Sequence, residues 1–191
     1  MPELTRRLEA LLFITPRPIA VAEFSAACEN ADGEVREALK AMAAEYAEGR
    51  RGMVLAEIAG GYAFRVAREC EATVERLIGA HRPDDLSPAL LETLAVVAYL
   101  QPTTRSEVAR VRGVSSEWAL SSLVERGLVE ERGRAETAGT PILYGTSGRF
   151  LTLFGLRSLA DLPDIGEFAL PAAETEELRA RLLATAERRR P

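Results

Sequence analysis

Pro18, Glu23, Phe24 and Leu39 are answered 84 residues later by Pro102, Glu107, Val108 and Leu123, each set lying inside a stretch that runs through the same order of patterns. In both stretches an amphipathic helix is followed by a short second helix, a third helix and two β-prone runs. A duplicated unit of this kind restricts the fold to two copies of one small plan. A chain of 191 residues accommodates that, because two domains of this size each lie near the lower limit for an independent core.

In the first copy Leu4, Leu8, Leu11 and Leu12 form one stripe of a helix that ends near Phe13, where ITPRP forces an extended turn. A short helix around AVAEFSAAC follows. Asp32 is expected to cap a third, which carries Val35, Ala38, Leu39, Met42, Ala43 and Tyr46 on one face and stops at Gly49. The run MVLAEIAGGYAFRVA then reads as a hairpin with Gly60 and Gly61 in its two-residue turn.

The second copy opens with a helix from Leu90 to Leu100. Leu90, Leu94, Val97 and Ala98 form its core stripe, with Val96, Tyr99 and Leu100 on the other side. A helix apolar nearly all round is expected to be covered on both faces. Thr104 and Glu107 have the spacing of a capping box, Gly113 suits a left-handed helix end, and Val114 and Ser115 make the tight turn. The third helix is predicted from about Glu117 to Arg126, closed by Gly127 with Leu128 folding back. A longer wing leads through GRAETAGTP to ILYGT, and RFLTLFG and SLADLP are expected to pack on this second domain. The predicted fold is mainly α with small β wings (α+β): two tandem winged-helix domains over 1–80 and 86–163, each a three-helix core plus a β-hairpin. Residues 164–191 read as a flexible or partner-folded tail, whose stretch AAETEELRARLLATAERRRP has Leu178, Leu182 and Leu183 as its only large apolar residues.

Several chemistries are unsupported by any motif. The chain has one histidine, His81, and two cysteines, Cys28 and Cys70, without paired spacing, so no metal cluster is expected and a free thiol is the plainer reading of each cysteine. Neither GxSxG, GxxxxGK[ST] nor HExxH occurs. Ser115 and Ser116 stand where a helix start needs capping groups, and acids such as Asp84, Asp85, Glu130 and Glu131 are chain neighbours of a solvated type. No enzyme activity and no cofactor are expected. LLETLAVVAYL is too short to span a bilayer, and MPELTRRLEALLF lacks the features of a signal peptide, which points to the cytoplasm.

Charge argues against a base-reading role. The chain carries a formal charge of −5, with 24 basic against 29 acidic residues, so it exerts no general attraction on phosphate. A DNA-reading third helix needs Arg, Lys, Asn or Gln on its outer face. In the second copy Leu120, Leu123 and Val124 fall on the core side, leaving Trp118, Ser121, Ser122 and Glu125 outward without a cation. In the first copy Glu34, Glu37, Ala41, Ala44 and Glu48 face outward. Trp118 is either an exposed anchor for another protein or a residue covered by the long wing.

LETLAVVAYLQPTTRSEVARVRGV and GTPILYGTSGRFLTLFGLRSLADLP, with the weaker AGGYAFRV, resemble the segregation and condensation protein B (ScpB) family over about residues 4–165. One departure stands out: Gly139, Thr140 and Pro141 replace the GRP that typically precedes ILYGT, so an arginine is missing. The resemblance implies a non-catalytic subunit of the bacterial SMC–kleisin complex. It implies homodimerisation chiefly through the N-terminal domain and binding of the kleisin ScpA by the C-terminal one, with the SMC ATPase reached through the kleisin and a nucleoid-associated place in the cytoplasm. Tyr99, Gln101, Arg105, Arg112 and Tyr144 are implied as surface or framework of the C-terminal domain. With Trp118 from the helix periodicity, these are the candidate partner-binding residues, Arg105, Arg112 and Tyr144 being the stronger for contact and Pro102 and Gly113 the more structural. The rival expectation is a winged-helix transcription regulator, in which Arg126, Arg132 and Arg134 would touch phosphates; otherwise DNA binding is expected to be at most weak and non-specific.

Overall fold

The computed structural model describes residues 2–78, 86–137 and 139–164. His81 and the tail beyond Asp164 lie outside the described residues. Helices combine with two small antiparallel sheets in an α+β chain. By internal contact the chain forms two units: the described residues up to 78 with Leu151–Ala160, and those of Leu86–Phe150 with 161–164. The stretch expected to pack wholly on the second domain is thus divided, and the Ala59 N–H donates to the Leu156 carbonyl at 2.8 Å.

In the first unit α1 (Glu3–Ile14) buries Leu8 and Leu12, while Leu4 and Leu11 pack against the same cluster. It stops at Thr15, an extended residue held by the following Pro16 away from the helical region. Phe13 and Ile14 lie off the apolar stripe and are 81% and 74% exposed. Glu23 sits third in α2 (Val21–Cys28) and accepts from the Ala20 N–H at 3.0 Å. Ala20 has no side-chain acceptor, so only half of a capping box is built here. Helix α3 (Asp32–Glu45) buries Val35, Leu39 and Met42, and Tyr46 closes it. Each of these buried side chains contributes roughly 1.5–3 kcal/mol relative to exposure. The capping residue is Ala31 rather than Asp32, whose carboxylate acts only through the first-turn dipole, and the helix ends at Glu45, before Gly49 is reached.

The hairpin joins β1 (Met53–Ile58) to β2 (Gly61–Val66), and its turn lies one residue earlier than expected. Ile58 pairs with Gly61, leaving Ala59 (φ 51°) and Gly60 (φ 74°) as the turn. Positive φ at both central residues is the type I′ arrangement that matches strand twist. Gly61 has a different duty: a Cβ there would lie 2.8 Å from the backbone of Ile19, which exchanges both backbone hydrogen bonds with Tyr62 at 2.9 Å. Two further segments, a 3-10 turn at Arg68–Cys70 and α4 (Glu71–Ile78), follow without a counterpart in the sequence reading.

The second unit repeats the order. Helix α5 (Pro88–Leu100) buries Leu90, Thr93, Leu94, Val97 and Ala98, with Val96, Tyr99 and Leu100 half-buried on its other side. The short β3 (Thr103–Thr104) leads into α6 (Arg105–Arg112), where the full capping box is present: Thr104 N–H to Glu107 at 2.8 Å and Glu107 N–H to Thr104 at 3.3 Å. Gly113 takes φ 73° at its end. Helix α7 (Glu117–Glu125) closes through Gly127 (φ 68°), with Leu128 N–H to Leu123 O and Gly127 N–H to Val124 O both at 2.9 Å. That bond pair is the Schellman stop expected from Gly127 and Leu128. The wing strands are β4 (Val129–Arg134) and β5 (Ile142–Thr146), in the sheet order β3-β5-β4, and α8 (Gly148–Phe154) follows.

The duplication is legible in three dimensions. Phe24 and Val108 are both fully buried, as are Leu39 and Leu123. The residue two positions before the second helix pairs with a tyrosine of the second hairpin strand in each unit, Ile19 with Tyr62 and Thr103 with Tyr144.

Candidate partner-binding surface

The six residues singled out in the sequence separate into framework and surface. Gln101 is framework. Its Nε2 donates to the Ala98 carbonyl at 2.9 Å and to the Thr146 hydroxyl at 3.0 Å, and its Oε1 accepts from the Thr146 N–H at 2.9 Å. The amide thereby fastens the end of α5 to β5. Arg112 also serves the fold: its side chain is only 9% exposed, and Nη2 reaches Glu92 on α5 at 3.0 Å. Tyr99 is half-buried on α5 and donates its hydroxyl to the Pro163 carbonyl at 2.8 Å.

Arg105 and Tyr144 come together. Tyr144 is buried in β5, and Arg105 stands at the start of α6, where it is ion-paired to Glu117. The neighbouring Tyr144 hydroxyl raises Arg105 above its ordinary pKa, and Glu117 adds to the shift. Both residues line an open cleft of about 620 Å³ between α6, the start of α7 and the wing. Arg134 from β4, with Pro141 and Ile142 from the far side of the wing, completes the wall. The wing itself is tied across its tip, where Arg134 Nη1 donates to the Thr140 carbonyl at 3.1 Å. Sequence reasoning placed Arg134 only as a possible phosphate contact. Its role in the cleft depends on the register of β4 against β5, in which Arg134 faces Ile142 after a bulge between Glu131 and Gly133.

Trp118 is 67% exposed, so of the two readings of this indole the wing-covered one fails. It neighbours Glu117 on α7, and Val114 in the preceding turn is 57% exposed. The outward face of α7 consists of Glu117, Trp118, Ser121, Val124 and Glu125 and carries no cation. Val124, expected on the core side, is 37% exposed; Ala119 takes the inward place at 3%. On α3 the expectation needs amending, because Arg36 and Lys40 are exposed beside Glu34 and Glu37. Among the described residues no group of three or more His, Cys, Asp or Glu side chains is placed to hold a metal ion, and no helix is long and apolar enough to cross a membrane. Cys28 and Cys70 are both free thiols, the first buried.

A family model for the segregation and condensation complex subunit ScpB matches residues 6–165. The chain belongs to the ScpB family. Among its relatives, segregation and condensation protein B of Syntrophotalea carbinolica is 42% identical over 92% of this chain and 89% of its own length. The protein of the same description from Shouchella clausii is 44% identical over 90% and 89%. A crystal structure of ScpB from Mycobacterium tuberculosis aligns at 36% identity over 81% of this chain and 96% of that one, with a TM-score of 0.39. By its family and its relatives this ScpB-family chain is a segregation and condensation complex subunit.

Proposed function

We infer that this chain is a non-enzymatic subunit of a bacterial SMC complex that grips the kleisin ScpA, and through it the SMC ATPase. Each unit is read as a winged helix, with the hairpin as wing and α3 or α7 in the place where a DNA reader would present bases with cations. The observation that carries the reading is the outward face of α7: an exposed tryptophan among a serine, a valine and glutamates suits polypeptide and repels phosphate. Extended kleisin would become ordered as it is held against such surfaces. The first unit supplies the homodimer contact, for which exposed Phe13 and Ile14 offer apolar anchors worth roughly 1.5–3 kcal/mol each when covered. The protein works in the cytoplasm at the nucleoid.

Size-exclusion chromatography of the protein mixed with its kleisin tests this. Co-migration at micromolar concentration is expected, and separate elution of the two proteins contradicts the assignment.

A transcription-regulator reading is favoured only by Arg36 and Lys40 on α3 and by the wing arginines. Their surroundings are acidic: Glu34 and Glu37 flank the first pair, and Arg132 is ion-paired to Glu130 at 3.0 Å. A gel shift across salt concentrations is expected to show weak, steeply salt-sensitive binding; sequence-selective binding at physiological salt would support the regulator instead.

A further inference from the structure

The cleft on the second unit has an unequal charge pattern. Arg105 is neutralised by Glu117. Arg134 lines the same cleft, spends one donor on the Thr140 carbonyl, and among the described residues makes no ion pair. A guanidinium has five N–H donors in a fixed fork, so one bond to a carbonyl leaves most of that fork open. The rest of the lining mixes apolar groups, Ala109, Pro141, Ile142 and the ring of Tyr144, with small hydroxyl residues of α6, the following turn and the wing tip; Val114 and Trp118, outside the lining, stand exposed on that turn and at the start of α7. An open guanidinium in a partly apolar cleft, with an exposed indole one residue along the chain from the cleft's Glu117, complements one kind of side-chain pair: a carboxylate, with a large apolar group a few residues away.

We propose that the cleft receives an acidic side chain of a partner polypeptide on Arg134 while an adjacent apolar side chain of the same segment covers Trp118. This rests on the polypeptide-gripping reading above and adds the chemistry of the segment and the residues that select it. The carboxylate replaces water on the free face of the guanidinium, where the apolar part of the lining strengthens the pairing relative to an open surface. Trp118 supplies apolar area at low entropic cost, having two side-chain torsions to fix. Selectivity follows from the excess of one positive charge: a basic segment would meet Arg134 unpaired and be rejected.

The test uses the full-length protein and its kleisin, with affinity followed by calorimetry. Trp118 is the only tryptophan in the chain, so its emission reports directly on that position when the partner has none or its own are replaced by phenylalanine. Binding is expected to move the emission to shorter wavelength. Arg134→Glu and Trp118→Ala are each expected to weaken binding about tenfold or more, which corresponds to about 1.4 kcal/mol. Arg36→Glu, an equal change of net charge on the first unit, is expected to leave affinity within about twofold, well under that same tenfold step. Exchanging one acidic kleisin residue for arginine is expected to restore binding to Arg134→Glu. If wild-type protein binds kleisin but both cleft variants bind equally well and the emission does not move, the cleft assignment is overturned and the kleisin role stands. If wild-type protein does not bind kleisin, both fall together.

Discussion

Arg112 on α6 reaches Glu92 on α5 with Nη2 and Oε2 3.0 Å apart, and the two partners differ in surroundings: the arginine side chain is 9% exposed, the glutamate 68%. The guanidinium is thus held almost out of water by a carboxylate that remains in it, and Arg112 Nε has no acceptor among the described residues. Removing the carboxylate leaves a buried charge without its counterion, whereas removing the charge leaves only an exposed acid. Glu92→Ala is expected to lower stability by about 1–2 kcal/mol, and Arg112→Met, which keeps the volume, by less. Urea unfolding of the two variants checks the order; a larger loss for Arg112→Met would refute it.

The hairpin of the first unit makes two glycines unequal. Gly60 has open space around its missing side chain, so Gly60→Ala meets only the cost of a left-handed residue, about 1–2 kcal/mol. Gly61 faces the backbone of Ile19, and Gly61→Ala must push apart the paired hydrogen bonds between Ile19 and Tyr62. Overpacking of that kind costs about 1–3 kcal/mol, to which the lost bonds add. Thermal unfolding is expected to rank Gly61→Ala as the more damaging.

Gln101 is expected to act on folding and not on the partner. Gln101→Leu removes the amide that serves Thr146 and the Ala98 carbonyl, at a cost of about 1–3 kcal/mol. Kleisin affinity measured well below the unfolding transition is expected to stay within about twofold, less than the tenfold step that 1.4 kcal/mol represents. A tenfold loss of affinity in a protein of unchanged stability would place Gln101 at the contact after all.

Glu23 gives an acid-side pH dependence. Its carboxyl is held down from 4.5 to about 2, chiefly by hydrogen bonding to Arg17 and secondly by the Ala20 N–H. A carboxyl depressed in the folded state contributes stability that is complete above its unfolded value and disappears as pH falls through the folded one. The window is therefore between about pH 4.5 and 2. Arg17→Ala is expected to return the Glu23 titration upward, as seen by carboxyl NMR. An unchanged titration in that variant would show that the backbone N–H alone sets the value.

Local chemistry made much of the fold readable in advance. The capping box of Thr104 and Glu107, the Gly127 stop and the leucine stripes of α1 and α5 are set by contacts within a few residues, and each is found where the spacing placed it. The errors arose where a distant segment decides. Gly61 read as a turn residue because the chain alone does not show Ile19 lying against it. For Gln101 and Arg112 the sequence left surface and framework undivided, because the residues that hold them, Thr146 and Glu92, are 45 and 20 residues away. Val124, expected inward, lies exposed, while Ala119, unassigned by the sequence, is buried, because a nine-residue helix turns different residues inward according to what it packs on.

The sequence by itself determined the duplicated order of helices and hairpins and the acidic balance, since periodicity, capping and charge are properties of neighbouring residues or of the whole chain. Only the tertiary structure decided that Arg105, Tyr144 and Arg134 share one cleft and that Trp118 stands outside its own core. The physical reason is that strand register and helix packing bring together side chains from α6, β4 and β5, and register is fixed by long-range hydrogen bonds that no local pattern encodes.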